Sequence, residues 1–437
     1  MHGLLLILLQ IMVIIIGARV MGWCFRKIHQ PQVMGEMVAG ILLGPSFLGW
    51  LAPGAMETLF PAASLNQLNM FSQIGLVIFM FLVGLELDPQ LLRGRSHAAV
   101  VISHVSIIAP FFLGTTLALY LYPKLSDASV GFTGFALFMG AAMSVTAFPV
   151  LARILTECGL TRTRIGALTI ACAAVDDVTA WCMLALVVAM VRATGLNKSL
   201  LFMVLGTALY AGIMMFVVRR LLRKLEEHYV RTRQISHNTL AIVFLLLLAS
   251  TWTTEWLGIH ALFGAFMLGV VMPKRPNFVA ALTEKLEGIT VVFLLPLFFA
   301  YTGLRTQIGL IRGGELWLDC LIIILIAVAG KLGGSAIAAR ASGSNWRDAS
   351  VLGILMNTRG LMELVILNIG LDLGVISPLL FGMMVIMALT TTFMTTPIVE
   401  WLYPVELIIT EQSLSPDRQT EERKDSTTEY TEITEMR

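Results

Sequence analysis

The sequence predicts an all-α polytopic membrane protein. Of its 437 residues, 57% are hydrophobic and 13% are charged, and the mean hydropathy is +0.83. A soluble domain carries about a quarter charged residues. The apolar residues fall in runs of about 20, which is long enough to cross the hydrocarbon core of a bilayer. Because lipid cannot satisfy backbone polar groups, such runs form helices or closed barrels, and these runs are too apolar for barrel strands.

We count thirteen such runs, of which the ninth is short. The first run is too long for the apolar region of a signal peptide and lacks a basic leader and a cleavage site, so we interpret it as a membrane helix. The predicted spans are Gly3–Phe25, Pro31–Leu51, Asn69–Leu87, His97–Tyr122, Val130–Glu157, Thr163–Val191, Ser199–Arg223, Ser236–Trp256, Gly258–Pro273, Leu286–Arg305, Leu316–Arg340, Arg347–Gly370 and Ser377–Tyr403.

The charged residues between the spans predict the orientation. Alternate loops carry the groups Arg26/Lys27, Arg93/Arg95, Arg162/Arg164, Arg219–Arg233, Lys274/Arg275/Lys285 and Arg340/Arg347. The other loops hold at most Lys124, Arg192, Lys198, Arg305 and Arg312. Cytoplasmic loops are enriched in Lys and Arg, so we expect the amino terminus outside and the carboxyl terminus in the cytoplasm. Thirteen is an odd number of crossings and places the two termini on opposite sides, so the count agrees with the charges.

The composition outside the spans argues against several function classes. A net charge of +2 provides no broad basic surface for nucleic acid. The five cysteines form no CxxC pair, so we interpret them as small buried hydrophobic residues. After a membrane domain over 1–403, the composition changes to Glu, Thr, Ser, Arg and Lys, which predicts a disordered cytoplasmic tail over 404–437. No GxGxxG follows the last span, so we expect no attached nucleotide-binding domain.

Asp176 and Asp177 are the strongest candidates for a functional site. They are adjacent in the sixth span, about 20 Å from its start at 1.5 Å per residue and therefore near the middle of the bilayer. Ionisable groups at this depth are costly and indicate function. Two neighbouring carboxylates in a low-dielectric medium titrate as a coupled pair. A hard monovalent cation favours their ionised form, so cation and proton compete for one site, as antiport requires.

Lys331, in the eleventh span, lies at a similar depth. We expect it to neutralise one aspartate and to release its proton when a cation arrives. A lysine that only reaches for the membrane surface is a poorer interpretation, because neither end of the span is close. Our hypothesis is that Asp177 carries the cation and that Asp176 pairs with Lys331.

Two spans are predicted to be interrupted. In the fifth, Pro149 removes a backbone donor, and Ser144 and Thr146 can bond the freed groups. We therefore expect Ser144 and Thr146 beside the cation and proton site. In the twelfth, Asn357–Gly360 places polar and flexible residues at membrane depth.

Interruptions at matching places in two halves of a chain indicate an ion site at mid-membrane. We expect repeats of about 31–191 and 258–403, linked by helices in 199–256. The two interrupted spans then occupy corresponding positions.

The remaining ionisable residues of the spans are expected to be structural. Arg359 and Glu363 are four residues apart, so they can pair on one helix face and neutralise the interrupted helix. Glu36 and Glu86 are interpreted as packing or gating groups. His104 is interpreted as a satisfied core or interface residue, as is His260.

Several runs of the sequence resemble the cation/proton antiporter 2 family. They are QPQVMGEMVAGILLGPSFLG, FMFLVGLELDP, SVTAFPVLARIL, AAVDDVTAW, GIHALFGAFMLGVVMP and MNTRGLMELVILNIG, and the resemblance extends over positions 5 to 400. That family includes bacterial sodium/proton antiporters, glutathione-gated potassium efflux proteins and plant cation/proton exchangers.

The resemblance implies an inverted-repeat sodium/proton antiporter fold with two crossing broken helices. It implies a core domain that shuttles against a dimerisation domain, and a homodimer with the first helix near the interface. Asp177 matches the family's ion-carrying aspartate, Asp176 the variable residue before it, Thr146 the crossover threonine and Lys331 the basic residue. Members with two aspartates tend to be electrogenic. We expect no counterpart of the efflux members' nucleotide-binding domain, which argues against gating by glutathione or nucleotides.

We therefore expect an electrogenic Na⁺/H⁺ antiporter in the bacterial plasma membrane, with K⁺/H⁺ exchange or K⁺ efflux as the alternative. The transported ions are Na⁺ or K⁺ and H⁺, and no cofactor is expected. An intramembrane aspartyl protease is a remote alternative, because consecutive aspartates point roughly 100° apart on one helix and no GxGD occurs. A channel would conduct without proton coupling, and an organic-anion symporter would have no use for Asp176, Asp177 and Lys331.

Overall fold

The computed structural model describes residues 3–86, 97–127, 130–161, 163–195, 200–232 and 234–404. The predicted tail beyond residue 404 lies outside these ranges, as do the loop residues Arg93, Arg95, Arg162, Lys198 and Arg233. The helices are α1 (Gly3–Lys27), α2 (Gln32–Leu43), α3 (Leu48–Leu51), α4 (Pro53–Leu59), α5 (Ala62–Glu86), α6 (His97–Leu125), α7 (Phe132–Ser144), α8 (Phe148–Glu157), α9 (Arg164–Gly195), α10 (Leu200–Ile213), α11 (Arg219–Thr232), α12 (His237–Leu257), α13 (Ala261–Val271), α14 (Pro276–Ile289), α15 (Leu295–Arg305), α16 (Gly313–Val328), α17 (Gly334–Ala341), α18 (Trp346–Met356), α19 (Leu361–Asp372), α20 (Pro378–Phe393) and α21 (Thr395–Leu402).

The helices account for the thirteen predicted spans. Within the described ranges, eleven helical segments are long and apolar enough to cross a membrane. The bent pair α18–α19 supplies the twelfth predicted span. The short ninth span is α13, with 11 residues. The all-helical membrane fold is therefore confirmed, with thirteen as the count when the bent pair and the short helix are included.

Three predicted boundaries are wrong by several residues. The third span begins at Ala62, the tenth at Pro276, and the helical segment of the seventh continues to Thr232. The added residues are polar or amphipathic, so an apolar window does not register them. Pro276 lies in the first turn of α14, where a missing N–H removes no helical hydrogen bond.

Among the described residues, three π-helical turns join helices within single spans. Met214–Val218 links α10 to α11, Thr290–Leu294 links α14 to α15, and Ala329–Gly333 links α16 to α17. Each π turn makes i→i+5 hydrogen bonds and often lies at a functional site. The third turn contains Lys331.

The helices form two groups that pack mainly among themselves. The scaffold bundle consists of α1, α2, α5 and α12 to α15, and the core bundle consists of α6 to α9 and α16 to α21. In the scaffold bundle, a Cβ added at Gly303 would lie 2.0 Å from the backbone of Gly40, so α2 and α15 are in backbone contact there. The segment α10–α11 lies between the bundles, where α10 contacts both α9 and α12.

Candidate functional site

The site is built where two interrupted spans of the core bundle meet. α7 ends at Ser144 and α8 begins at Phe148, and Val145 between them is extended. The break comes just before Pro149, which therefore lies in the first turn of α8 and costs no helical hydrogen bond. α18 ends at Met356, and α19 starts after a four-residue break with a bend of 43°.

The two breaks are in direct contact. The Ala147 amide donates a hydrogen bond of 3.0 Å to the Thr358 carbonyl. The Thr146 hydroxyl, whose single proton is shared with a second acceptor, lies 3.0 Å from the Met356 carbonyl. A Cβ at Gly360 would lie 2.6 Å from the Val150 side chain, so the absence of a side chain permits this approach. The predicted crossing of two broken helices is therefore confirmed, and freed backbone groups of one break are bonded by the other.

Asp176 is buried and held by four side chains. Ser103 donates to its Oδ1 at 3.0 Å, Ser106 donates to Oδ1 at 2.9 Å and to Oδ2 at 2.7 Å, and Thr146 donates to Oδ2 at 3.0 Å. Lys331 Nζ lies 2.8 Å from Oδ2 in an ion pair with both side chains fully buried. A buried charge is tolerated when it is paired and hydrogen-bonded in this way. Asp176 is therefore a fixed carboxylate.

Lys331 is equally satisfied. Besides Asp176, its ammonium donates to the Ser106 carbonyl at 2.9 Å and to the Ser144 carbonyl at 2.5 Å. An ammonium has three protons, and these three acceptors match them. The pairing of Asp176 with Lys331 that the sequence suggested is present in the structure.

Asp177 has a different environment from its neighbour. It is 1% exposed, and neither carboxylate oxygen has a hydrogen-bond partner among the described residues. The backbone amide of Phe148, the first residue of α8, is close enough to act on this carboxylate without forming a hydrogen bond with it. A helix amino end carries a partial positive charge. Asp177 is therefore the carboxylate of the pair whose oxygens are available to a ligand.

Ser144 contributes to the site through its backbone. Its hydroxyl donates to the carbonyls of Ile107 and Gly140, at 3.1 and 2.7 Å, and does not bond either aspartate. Its carbonyl accepts the proton of Lys331. Thr146, in contrast, reaches Asp176 with its side chain, as expected for a residue in the break.

Arg359 and Glu363 pair as the sequence predicted, at 2.7 Å and with both side chains buried. Arg359 also donates to the carbonyls of Ala142 and Met143, at 2.9 and 2.7 Å. Lys331 donates to the carbonyl of Ser144, so each of the last three carbonyls of α7 accepts a hydrogen bond from a cationic side chain. We expected Arg359 to neutralise its own span, but it also neutralises the negative end of the other broken helix.

Ser103 and Ser106 are the site residues that sequence reasoning missed. They lie three residues apart in α6, within the run VVISHVSIIA, and so share one helix face. That spacing of small polar residues in an apolar helix is the signal that was available. His104 between them lies on the exposed side of α6, bonding the Val100 carbonyl at 2.7 Å, so it is not a core residue.

The other candidates lie outside this constellation. Glu36 is buried in α2 and accepts a hydrogen bond of 2.9 Å from Gln32, with Arg19 at 3.9 Å. Glu86 is exposed at the end of α5. His260 is half-buried and caps α13, accepting from the Leu262 amide at 3.4 Å.

Comparison with known proteins gives a consistent picture. The family described as "Sodium/hydrogen exchanger, transmembrane" matches residues 13–402. The chain is 45% identical over 404 residues to the Na⁺/H⁺ antiporter NhaS4 of Synechocystis sp., covering 92% of this chain and 98% of that protein. It is 39% identical to cation/H⁺ antiporter 17 of Arabidopsis thaliana over 92% of this chain.

More distant relatives share the same membrane region. The K⁺/H⁺ antiporter 1 of Saccharomyces cerevisiae is 34% identical over 92% of this chain. The chain spans about half the length of the plant and yeast relatives, at 49% and 47%. Among solved structures, the sodium proton antiporter MjNhaP1 of Methanocaldococcus jannaschii has a TM-score of 0.62 at 15% identity, covering 93% of this chain and 99% of that one. This last likeness concerns the fold alone.

Proposed function

Since this chain belongs to the sodium/hydrogen exchanger family and is a cation/proton antiporter, we propose that Na⁺ is its principal cation and that Asp177 carries it. The choice of Na⁺ is supported by the 45% identity to a protein named as a Na⁺/H⁺ antiporter over nearly all of both chains. The choice of Asp177 is supported by one observation above all. Its two buried oxygens have no partner among the described residues, whereas those of Asp176 are held by hydroxyls and Lys331.

This difference accounts for competition between Na⁺ and H⁺. A buried carboxylate without hydrogen-bond donors is strongly unfavourable as a free anion. Binding either a cation or a proton removes that cost, and the two cannot occupy the same oxygen. Carboxylate oxygens are suitable ligands for a hard cation, so the same group serves both ions.

Asp176 and Lys331 are proposed to supply the second proton. Na⁺ takes the place of the proton that Asp177 carries, which releases the first proton. Bound beside Asp176, Na⁺ also attracts that carboxylate and weakens its pairing with Lys331. A buried ammonium that loses its paired anion is disfavoured in a low-dielectric medium. Lys331 then releases its proton, and two protons exchange for one Na⁺, which makes the cycle electrogenic.

The two bundles are proposed to provide alternating access. The acids and both breaks belong to the core bundle, so movement of this group against the scaffold bundle exposes Asp177 to one side at a time.

The protein is a multi-pass integral membrane protein, and we place its amino terminus outside, its carboxyl terminus in the cytoplasm and its location in the bacterial plasma membrane. We also propose a homodimer through α1 and neighbouring scaffold helices. This proposal is supported by the exposed apolar residues along α1: Leu4, Leu5, Leu8, Met12 and Ile16.

K⁺ is the competing cation. The yeast relative is named as a K⁺/H⁺ antiporter and is 34% identical, so K⁺/H⁺ exchange is the second candidate function. The protease, channel and symporter interpretations have no such support, because the relatives are antiporters. The geometry also disfavours a protease, since Asp176 is engaged by Lys331 and does not converge with Asp177 on one water.

The test is exchange in proteoliposomes with Na⁺, K⁺, Li⁺ and Rb⁺ offered in turn against a proton gradient. We expect Na⁺ to give the highest rate, and Asp177→Asn to abolish exchange of every cation. Asp319→Asn is the matched control, because Asp319 is also a buried core-bundle carboxylate but pairs with Lys124 at 3.3 Å. Full exchange by Asp177→Asn would overturn the site assignment, and preference for K⁺ would overturn the cation assignment.

Electrogenicity needs a separate measurement. With valinomycin and K⁺ setting the membrane potential, the rate of Na⁺/H⁺ exchange should change with voltage and reverse when the potential reverses the driving force. Exchange that does not respond to the imposed potential would contradict two-proton coupling and leave Asp177 as the carrier of an electroneutral exchange.

A further inference from the structure

Asn357 is a buried polar residue whose side chain has no hydrogen-bond partner in the part of the chain that the structure describes. It is fully buried at the end of α18, and within the described ranges neither its Oδ1 nor its Nδ2 has a hydrogen-bond partner. The hydroxyl of the next residue, Thr358, is also fully buried and without a partner there. An unsatisfied buried amide is unfavourable, and groups of this kind call for a specific explanation.

The common structural explanations for asparagine at a helix end do not apply. Asparagine often ends a helix because it tolerates positive φ, but Asn357 has φ −80°. Its backbone amide already bonds Gly353 and Ile354, and its side chain caps no group. The residue is therefore not retained here for turn geometry or for capping.

The position of these groups connects them to the aspartates. The carbonyl of Met356, just before Asn357, accepts from Thr146, whose hydroxyl also bonds Asp176. The carbonyl of Thr358 accepts from Ala147, next to Phe148, which begins α8 and whose amide is close enough to act on Asp177 without bonding it. The unpartnered side chains of the second break thus lie at the same crossing as the unpartnered oxygens of Asp177.

We propose that Asn357 Oδ1 and Thr358 Oγ1 supply neutral oxygen ligands, directly or through water, to the cation that Asp177 binds, and that they set cation preference. This inference rests on the proposed function. Hard monovalent cations prefer carboxylate, carbonyl and hydroxyl oxygens, and all three types are present at the crossing. The charged ligand and the neutral ligands then have different roles. Asp177 couples the cation to protons, and the neutral groups discriminate between cations of different size.

The experiment measures apparent KM for Na⁺, Li⁺ and K⁺ in proteoliposomes at fixed pH. For Asn357→Ala we expect the KM for Na⁺ to rise about tenfold, with a changed ratio between cations and an unchanged number of protons per cation. Thr358→Val should also raise the KM for Na⁺, by a smaller factor than Asn357→Ala. Thr396→Val is the matched control, because its hydroxyl is likewise buried and unpartnered but lies on α21, so every KM should stay constant.

A second readout does not depend on transport. Na⁺ that binds the folded protein raises its midpoint of thermal unfolding in detergent, by an amount set by concentration and affinity. Asn357→Ala should need about tenfold more Na⁺ for the same rise. If Asn357→Ala does not fold, Asn357→Ser keeps an oxygen of smaller reach and should retain binding with an altered cation ratio.

The results separate this inference from the function on which it rests. Unchanged KM values and cation ratios in Asn357→Ala and Thr358→Val, with Asp177→Asn inactive, would overturn the inference alone. A lower maximal rate at constant KM for every cation would also overturn it, since that pattern indicates a structural role. Exchange that persists in Asp177→Asn would overturn the proposed carrier itself.

Discussion

Arg305, at the end of α15, forms an ion pair of 2.7 Å with Asp372, at the end of α19. Arg305 belongs to the scaffold bundle and Asp372 to the core bundle. Arg305 also donates to Asn368 at 3.1 Å, and Asn368 donates to Thr302 at 2.9 Å, so the contact is a small polar network between the bundles. By the predicted orientation it lies on the outer side. A movement of one bundle against the other must break it.

Linking these two positions should stop transport. In a cysteine-free background, Arg305→Cys with Asp372→Cys, joined by a bifunctional methanethiosulfonate reagent, should lose Na⁺/H⁺ exchange and recover it with reductant. The control pair is Ser46→Cys with Thr306→Cys, beside the ends of α2 and α15 in the scaffold bundle, where the Ser46 hydroxyl donates to the Thr306 backbone carbonyl at 2.5 Å. Exchange there should survive linking. Undiminished exchange in the linked Arg305/Asp372 pair would show that the bundles do not separate at this contact.

Removing Lys331 should destabilise the protein more than removing the whole ion pair. Lys331→Met leaves Asp176 as a buried charge without its cation, which costs about 3–5 kcal/mol in comparable buried pairs. Asp176→Asn in the same chain removes that charge and should recover most of the loss. The measurement is the midpoint of thermal unfolding in detergent for both single variants and the double variant. Additive losses in the double variant would mean that the two residues do not depend on each other.

Replacing Arg359 should destabilise the protein more than replacing its partner Glu363. Arg359→Met releases two carbonyls of α7 and a carboxylate, whereas Glu363→Gln keeps an acceptor beside a guanidinium that is still bonded to Ala142 and Met143. We expect a loss of about 3–5 kcal/mol for the first variant and about 1 kcal/mol for the second. The midpoint of thermal unfolding and the yield of monodisperse protein check this order. A larger loss for Glu363→Gln would reverse our view of which partner stabilises the crossing.

Cys158, just after α8, should react slowly with maleimide. Burial, reinforced by the carboxylates of Glu400 and Glu157, raises the pKa of its thiol to about 12. A raised pKa lowers the thiolate fraction at a given pH, to about one in ten thousand at pH 8, against about a quarter for a free cysteine. Peptide mapping of the labelled residue should give a rate that still increases between pH 8 and 10, where that of glutathione levels off. A plateau near pH 8.5 would contradict the raised pKa.

The sequence predicted the spans and both breaks because their signals are local. Runs of apolar residues, Pro149 and the polar Asn357–Gly360 segment are each visible within one segment. The sequence also predicts the pairing of Asp176 with Lys331, 155 positions apart. A charge at membrane depth needs a partner of opposite charge, and the spans contain few of them. The functional roles of these residues stay predictions.

Features that depend on packing between distant segments were not predictable in this way. Predicting the contact of Arg359 with α7 requires knowing which helix lies opposite Arg359. Ser103 and Ser106 carry no charge, and serines are common in membrane helices, so their importance depends on the position of Asp176. The π turn at Lys331 leaves no composition signal. The particular acceptors of the Ser144 hydroxyl, the carbonyls of Ile107 and Gly140, also depend on packing, and the role of Ser144 in cation binding stays a prediction.

The π turn Ala329–Gly333 has a consequence for the ancestry of the eleventh span. A π turn holds one residue more than the α-helical turn it replaces, so the sequence period of buried positions slips by one residue between α16 and α17. Deleting one residue there would regularise the helix and leave the contacts on both sides of Lys331 largely in place. Relatives that lack this residue should therefore have a continuous α-helix in the eleventh span, with the same buried and lipid-facing faces on both sides of it.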